Sequence, residues 1–153
     1  MTRWRAGEAD VERLVSVRDL QRVTGSAADG APGLSRARDT LTSAERLVES
    51  DPTNAFVLAY DAARQACTAL LAQQGLRPTV TGGHLAVERA VRAQFGTTFA
   101  DYGRMRRRRH EVEYPAHADE RVDRDEALDA LTRAGELIDA ATKVMPHLGL
   151  FEG

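Results

Sequence analysis

Glycine and proline gather mainly between the apolar segments of this chain, and that limits the fold more than any other feature. Between the breaks, apolar residues recur every three or four positions, the period of an amphipathic helix. No sustained period-two run of β-branched and aromatic residues competes with it. The class read from this pattern is all-α, an antiparallel up-and-down bundle. Helices are expected over about 8–24, 34–50, 54–74, 84–95, 98–112 and 123–145. The first, with Val11, Leu14, Val15, Val17 and Leu20 on its apolar side, is expected to run to Gly25 and to pack outside the others. Residues 26–32 read as a loop, and Gly75 to Gly83 as a turn-rich connection.

Helix ends carry their own signals. Asp51-Pro52 suits the start of the third helix, because an aspartate accepts from first-turn amides and proline is favoured at the first helical position. Thr97 or Thr98 is expected to cap the fifth. Asp123-Arg-Asp-Glu126 resembles a capping box at the start of the last helix, which Pro146 prevents from continuing. A chain of 153 residues is the size of one domain, here an N-terminal helix and loop over 1–31 and a core bundle over 32–146.

No apolar run reaches the roughly 18–20 residues of a bilayer span, and the N-terminal residues lack a signal-like apolar segment, so neither membrane insertion nor secretion is expected. The lone Cys67 can form neither an internal disulfide nor a cysteine-based zinc site, and a reducing cytoplasm suits it. It falls on the apolar stripe of the third helix, where a buried thiol is the ordinary outcome. No metal-ligand spacing is present, and no cofactor is expected. The net charge of −2 draws the chain to nucleic acid only through a local patch.

Such a patch exists. Arg104-Met-Arg-Arg-Arg-Arg-His-Glu-Val-Glu-Tyr-Pro115 holds five arginines within six positions, followed by His110, Glu111, Glu113 and Tyr114. Like charges at i+3 and i+4 on one helix cost about 0.2–0.5 kcal/mol per pair, so something must offset them. One answer is structural: Glu111, Glu113, Asp119, Glu120, Asp123, Asp125, Glu126 and Asp129 lie downstream and can neutralise the run within the chain. The other is a phosphate-handling site, in which guanidinium forks hold a phosphodiester and an imidazole moves protons. RNA suits that set, because its 2′-hydroxyl is a built-in nucleophile and no metal is needed. The products are a 2′,3′-cyclic phosphate and a 5′-hydroxyl, and DNA is inert. Arg106 and His110 share a helix face, as do Arg109 and Glu113, but Arg104 and His110 lie about 120° apart at 100° per residue. Either the helix breaks, or two copies of the chain meet at a shared cleft.

The segment Arg104 to Pro115, together with Tyr60-Asp-Ala-Ala-Arg-Gln-Ala-Cys-Thr-Ala-Leu-Leu71, the Gly82-Gly83-His84 turn and the Glu-Tyr-Pro ending at 113–115, resembles the HEPN superfamily of small helical bundles. The superfamily hallmark is an arginine followed, four to six residues on, by a histidine, and Arg104-x5-His110 has that spacing. The resemblance covers about residues 35–145. It implies a metal-independent endoribonuclease working as a homodimer, often a toxin or a phage-defence effector, and a toxin of this kind is commonly neutralised by a minimal nucleotidyltransferase partner. On that basis Arg104 stabilises the phosphate and His110 serves in proton transfer, with Arg106, Arg107 and Arg108 contacting RNA. In a second register Arg109 is the motif arginine and Tyr114 stands in the histidine position, which predicts weak or absent cleavage, since a phenol near pKa 10 is a poor base at neutral pH. A non-catalytic RNA-binding or protein-interaction module of the same fold is the alternative.

Other residues have plainer readings. His84 opens a helix after two glycines and either contacts a phosphate or serves as a local capping or core residue. His117 and His147 read as surface positions. Gly82-Gly83 lacks the strand and Lys-Ser/Thr of a P-loop. Trp4 reads as an anchor folding back on the bundle, and Tyr60 and Tyr102 as core-edge residues whose hydroxyls reach a partner.

Overall fold

The bundle is built around its longest helix, which is apolar on more than one face. The computed structural model describes residues 2–117 and 121–152, leaving aside the side chain of Thr98. Among these residues the helices are α1 (Glu8–Ser16), α2 (Ala31–Leu47), α3 (Pro52–Gln73), α4 (Gly83–Phe95), α5 (Ala100–Glu113) and α6 (Arg124–Val144). Ala55, Ala59, Ala62, Ala63, Ala66 and Ala69 of α3 are all buried, and their small side chains let α2 and α6 approach it closely. Phe56, Tyr60, Leu70 and Leu71 fill the spaces between, and Cys67 is sealed among them, where burial pushes its thiol pKa up. The chain is an all-α, up-and-down bundle with α1 added on the flank of α4.

The helix starts follow capping chemistry. Asp51 accepts from the Asn54 amide at 3.2 Å, and Pro52 sits at the first helical position of α3. Asp123 accepts from the Glu126 amide at 2.8 Å at the head of α6, but the Glu126 carboxylate is drawn to Arg108, so only half of the expected capping box forms. The predicted threonine cap of α5 is absent: a 3₁₀ turn, Gly96–Phe99, runs into α5, and the N-cap residue is Phe99. The loop expected over 26–32 ends early, because Ala31 and Pro32 form the first turn of α2.

The largest correction concerns the predicted 8–24 helix. It stops at Ser16, and Leu20–Arg22 forms a short strand, β1, antiparallel to β2 (Leu76–Pro78), with Leu20 opposite Pro78 and Arg22 opposite Leu76. The stop is a Schellman turn: the Arg18 amide donates to the Val15 carbonyl at 3.1 Å and the Asp19 amide to the Leu14 carbonyl at 2.9 Å. Arg18 takes the left-handed position, φ 63°, that glycine ordinarily fills. A non-glycine residue there costs about 1–2 kcal/mol, partly offset by the extra chain entropy that glycine would lose. Arg18→Gly is therefore expected to raise stability by about 0.5–1 kcal/mol, read as a higher urea midpoint at unchanged slope.

This corner positions the start of α4. Thr79 Oγ1 donates to the Arg18 carbonyl at 2.7 Å, and the Thr79 amide donates to the Asp19 carbonyl at 3.0 Å. A Cβ at Gly82 would overlap the backbone of Asp19, so only glycine lets the turn seat there. The turn leads directly into His84.

Trp4 folds back as expected, its indole Nε1 donating to the Gln94 carbonyl at 3.1 Å and its ring 5.5 Å from that of Phe95. No helix among the described residues is long and apolar enough to cross a membrane.

Candidate functional site

Helix α5 buries Tyr102, Gly103 and Met105 and carries its arginines around the remaining surface. Each arginine of the run has an acid of the same chain beside it. Arg104 pairs with Asp101, and Arg109 pairs with Glu113 one turn on. Arg108 Nε donates to Glu126 Oε1 at 2.5 Å, with Glu111 at 3.2 Å from its Nη1. Arg106 Nε donates to Glu88 Oε2 at 2.7 Å, and Arg107 approaches the same carboxylate at 3.7 Å. The expected downstream neutralisation is thus partial. Glu111, Glu113 and Glu126 take part, whereas Asp123 caps α6, Asp125 faces Arg124 and Asp129 faces Arg133. Asp119 and Glu120 lie outside the described residues. The remaining counter-charges, Glu88 and Asp101, lie upstream and carried no sequence signal.

Glu88 is the pivot of this arrangement. Its side chain is 5% exposed, held between α4 and α5, and a Cβ at Gly103 would overlap its carboxylate. Glycine at 103 therefore lets the two helices close around a buried acid. That acid fixes Arg106 and Arg107.

Beyond Glu88, α3, α4 and α5 border an open recess of about 150 Å³ lined by Tyr60, His84, Arg106, Arg109 and His110, both histidines being exposed. The Tyr60 hydroxyl and His84 Nδ1 share a hydrogen bond of 2.5 Å, which orients the ring and leaves Nε2 as its free nitrogen. Tyr60 is itself held by stacking on Tyr102, at 5.8 Å and nearly parallel, and the Arg109 guanidinium lies 5.6 Å from the centre of the Tyr60 ring on a cation–π contact. Burial, then the positive charges of Arg64 and Arg109, hold His84 below the usual imidazole pKa, so it is neutral at pH 7. Burial pushes the Tyr60 phenol up, so it keeps its proton. Two imidazoles and two guanidinium forks thus line one recess with room for a phosphate group.

Of the residues expected to form the site, the structure brings Arg106, Arg109 and His110 together. Arg104 lies elsewhere: it lines a separate hollow of about 160 Å³ with Phe56, Met105 and Arg108. Helix α5 runs unbroken to Glu113, so the Arg104-x5-His110 pair does not converge within one chain, in keeping with the 120° between them. Arg107 is half exposed beside Glu88. Tyr114 is the C-cap of α5 and 66% exposed, its ring 5.0 Å from that of His110. Tyr60 and His84 join the cluster although neither was among the expected catalytic residues. They meet 24 positions apart, and the one local hint was the glycine pair before His84. His117 and His147 are exposed, as read. Among the described residues no group of histidine, cysteine, aspartate and glutamate is arranged to hold a metal ion.

Comparison with known proteins gives one finding. Residues 33–144 match the family model described as HEPN domain, a stretch that contains α3, α4 and α5 and hence every residue of the recess. No curated protein and no solved structure matches the chain. The matched stretch exceeds half of the sequence and carries the bundle and its cluster, and the chain belongs to the HEPN domain family.

Proposed function

We propose that the chain is a metal-independent endoribonuclease whose catalytic centre is the Tyr60–His84–Arg106–Arg109–His110 recess. The convergence of two imidazoles and two guanidiniums on one recess with room for a phosphate group carries this reading. With Nδ1–H donating to the Tyr60 oxygen, His84 Nε2 accepts the proton of an RNA 2′-hydroxyl as that oxygen attacks phosphorus. His110 gives a proton to the departing 5′-oxygen, and Arg106 and Arg109 hold the non-bridging oxygens as negative charge builds. The bond to the 5′-oxygen breaks, leaving a 2′,3′-cyclic phosphate and a 5′-hydroxyl. The protein acts in the cytoplasm as a toxin or phage-defence effector, restrained by a partner such as a minimal nucleotidyltransferase. A homodimer lets Arg104 of one copy reach the recess of the other, which a single chain does not allow.

A second reading is favoured by the ion pairs: every arginine of the run already has a carboxylate from its own chain, and Tyr114 occupies the histidine position of the Arg109 register. That combination suits a non-catalytic RNA-binding module.

Purified protein incubated with total RNA in EDTA separates the two. Fragments ending in 2′,3′-cyclic phosphate are expected from the wild type, with His84→Ala and His110→Ala each slowing their formation by about 10²–10⁴-fold. Because His84 sits below the ordinary imidazole pKa, the acid limb of the rate profile is expected below pH ~6.5. RNA that survives equally with wild type and variants overturns the enzyme, and a salt-dependent gel shift then supports the binding module.

A further inference from the structure

The guanidiniums without partners are not in the arginine run. Arg13 of α1 and Arg89 and Arg92 of α4 line a cleft of about 760 Å³ together with Leu14, Val17 and Ala93. Among the described residues, none of these three side chains makes an ion pair or a hydrogen bond, and all three are exposed. Asp10 and Asp19 line the same cleft but pair with none of them, so cations outnumber acids there. In contrast with α5, where every arginine is neutralised, three guanidiniums of this cleft are free to meet an external anion, as are Arg36 and Arg46 on α2.

Helix α4 joins the cleft to the recess. His84, Glu88 and Arg92 stand at successive i+4 positions: His84 borders the recess, Glu88 holds Arg107 beside it, and Arg92 opens on the cleft. At 1.5 Å and 100° per residue, Arg92 lies about 12 Å along the axis and about 80° around α4 from His84, and Arg89 about 7.5 Å and about 140°, so a strand that joins the two sites winds partly around the helix. The opposite wall is α1, which lies outside the stretch matching the HEPN family, so this face belongs to the chain's own N-terminal addition. The cleft is lined by more charged than apolar residues and by no aromatic side chain. The walls therefore suit a phosphate backbone rather than an apolar protein anchor or stacked bases.

We infer that the α1–α4 cleft is a second RNA subsite, in which Arg13, Arg89 and Arg92 hold the backbone of a single strand whose neighbouring phosphate occupies the recess. The inference rests on the recess being an RNA site. It makes the substrate an extended single strand, since a dinucleotide reaches only the recess.

Fluorescence anisotropy tests it with two probes that lack the 2′-hydroxyl nucleophile and so survive: a 2′-O-methyl RNA strand long enough to span both cavities, and a 2′-O-methyl dinucleotide. The variant replaces Arg13, Arg89 and Arg92 by glutamine. A control with the same charge change replaces Arg36, Arg38 and Arg46 of α2. The cleft variant is expected to bind the long strand about tenfold more weakly. Its log K against log salt should flatten by about 2, since each single-strand phosphate contact contributes about 0.7. Its dinucleotide affinity should be unchanged and the α2 control close to wild type. Normal dinucleotide binding with unaltered long-strand affinity, or an equal loss in the α2 control, overturns this inference alone. Wild-type protein that binds neither probe overturns the recess as an RNA site and the cleft with it.

Discussion

Truncation of Arg109 to alanine is expected to slow RNA cleavage by about 10²–10³-fold while leaving the fold intact, because one preorganised charged donor is removed from the point where charge builds in the transition state. Arg109 is the guanidinium best placed for that task. It lies over the Tyr60 ring, lines the recess with both imidazoles, and is otherwise held only by Glu113 one turn away. An exposed i,i+4 ion pair of that kind is worth about 0.3–0.5 kcal/mol, whereas a bidentate arginine–phosphate contact is a stronger, charge-assisted bond. On the proposed mechanism phosphate is therefore expected to displace Glu113, so that the neutralised arginine of the resting chain is no obstacle to binding. Arg109→Lys keeps the charge but loses the planar fork, so it should restore only part of the rate. Single-turnover cleavage with a circular-dichroism melt on the same samples decides the matter: an Arg109→Ala protein that melts like the wild type and cuts at the wild-type rate removes this residue from the chemistry.

How much of this was legible beforehand depended on whether the cause was local. The 3.6-residue apolar period placed α2 to α6 to within a few residues, and Asp51-Pro52 marked the head of α3 correctly, because both signals arise from neighbouring residues. The end of α1 was missed since its left-handed position carries Arg18 instead of glycine, and without a breaker the apolar spacing continued to Gly25. The two short strands were missed with it, each being only 3 residues long and held by the other. At the site, the arginine run was plain in the sequence, but the spacing that drew attention, Arg104 to His110, joins side chains that line different hollows. What organises the recess is long-range. Glu88 reaches α5 from α4 with no mark in its own neighbourhood, and His84 meets Tyr60 of α3 with only the glycine pair before it as a hint.

Glu88 accordingly provides the sharpest test of how the arginines are held. Glu88→Ala is expected to destabilise the protein by about 2–4 kcal/mol, toward the lower part of the range for breaking a buried ion pair, because Arg106 and Arg107 keep some access to water. Two costs add: a cavity at a side chain that is 5% exposed, and the loss of the carboxylate that, among the described residues, pairs with both cations and now screens their mutual repulsion. Glu88→Gln keeps the volume and removes the charge, so it should fall between the variant and the wild type. Gly103→Ala should reproduce part of the same loss by a different route, as its methyl group would displace the carboxylate and crowd Arg107 Nη1 at 3.3 Å while leaving both arginines in the chain. Urea denaturation measures all three, and the double variant Glu88→Ala/Arg106→Ala should cost less than the two single losses added together, because the cation stranded by the first change is gone. Additive losses would mean that the two side chains do not depend on each other. Arg106 would then reach the recess by packing alone, and the buried acid would have no part in shaping it.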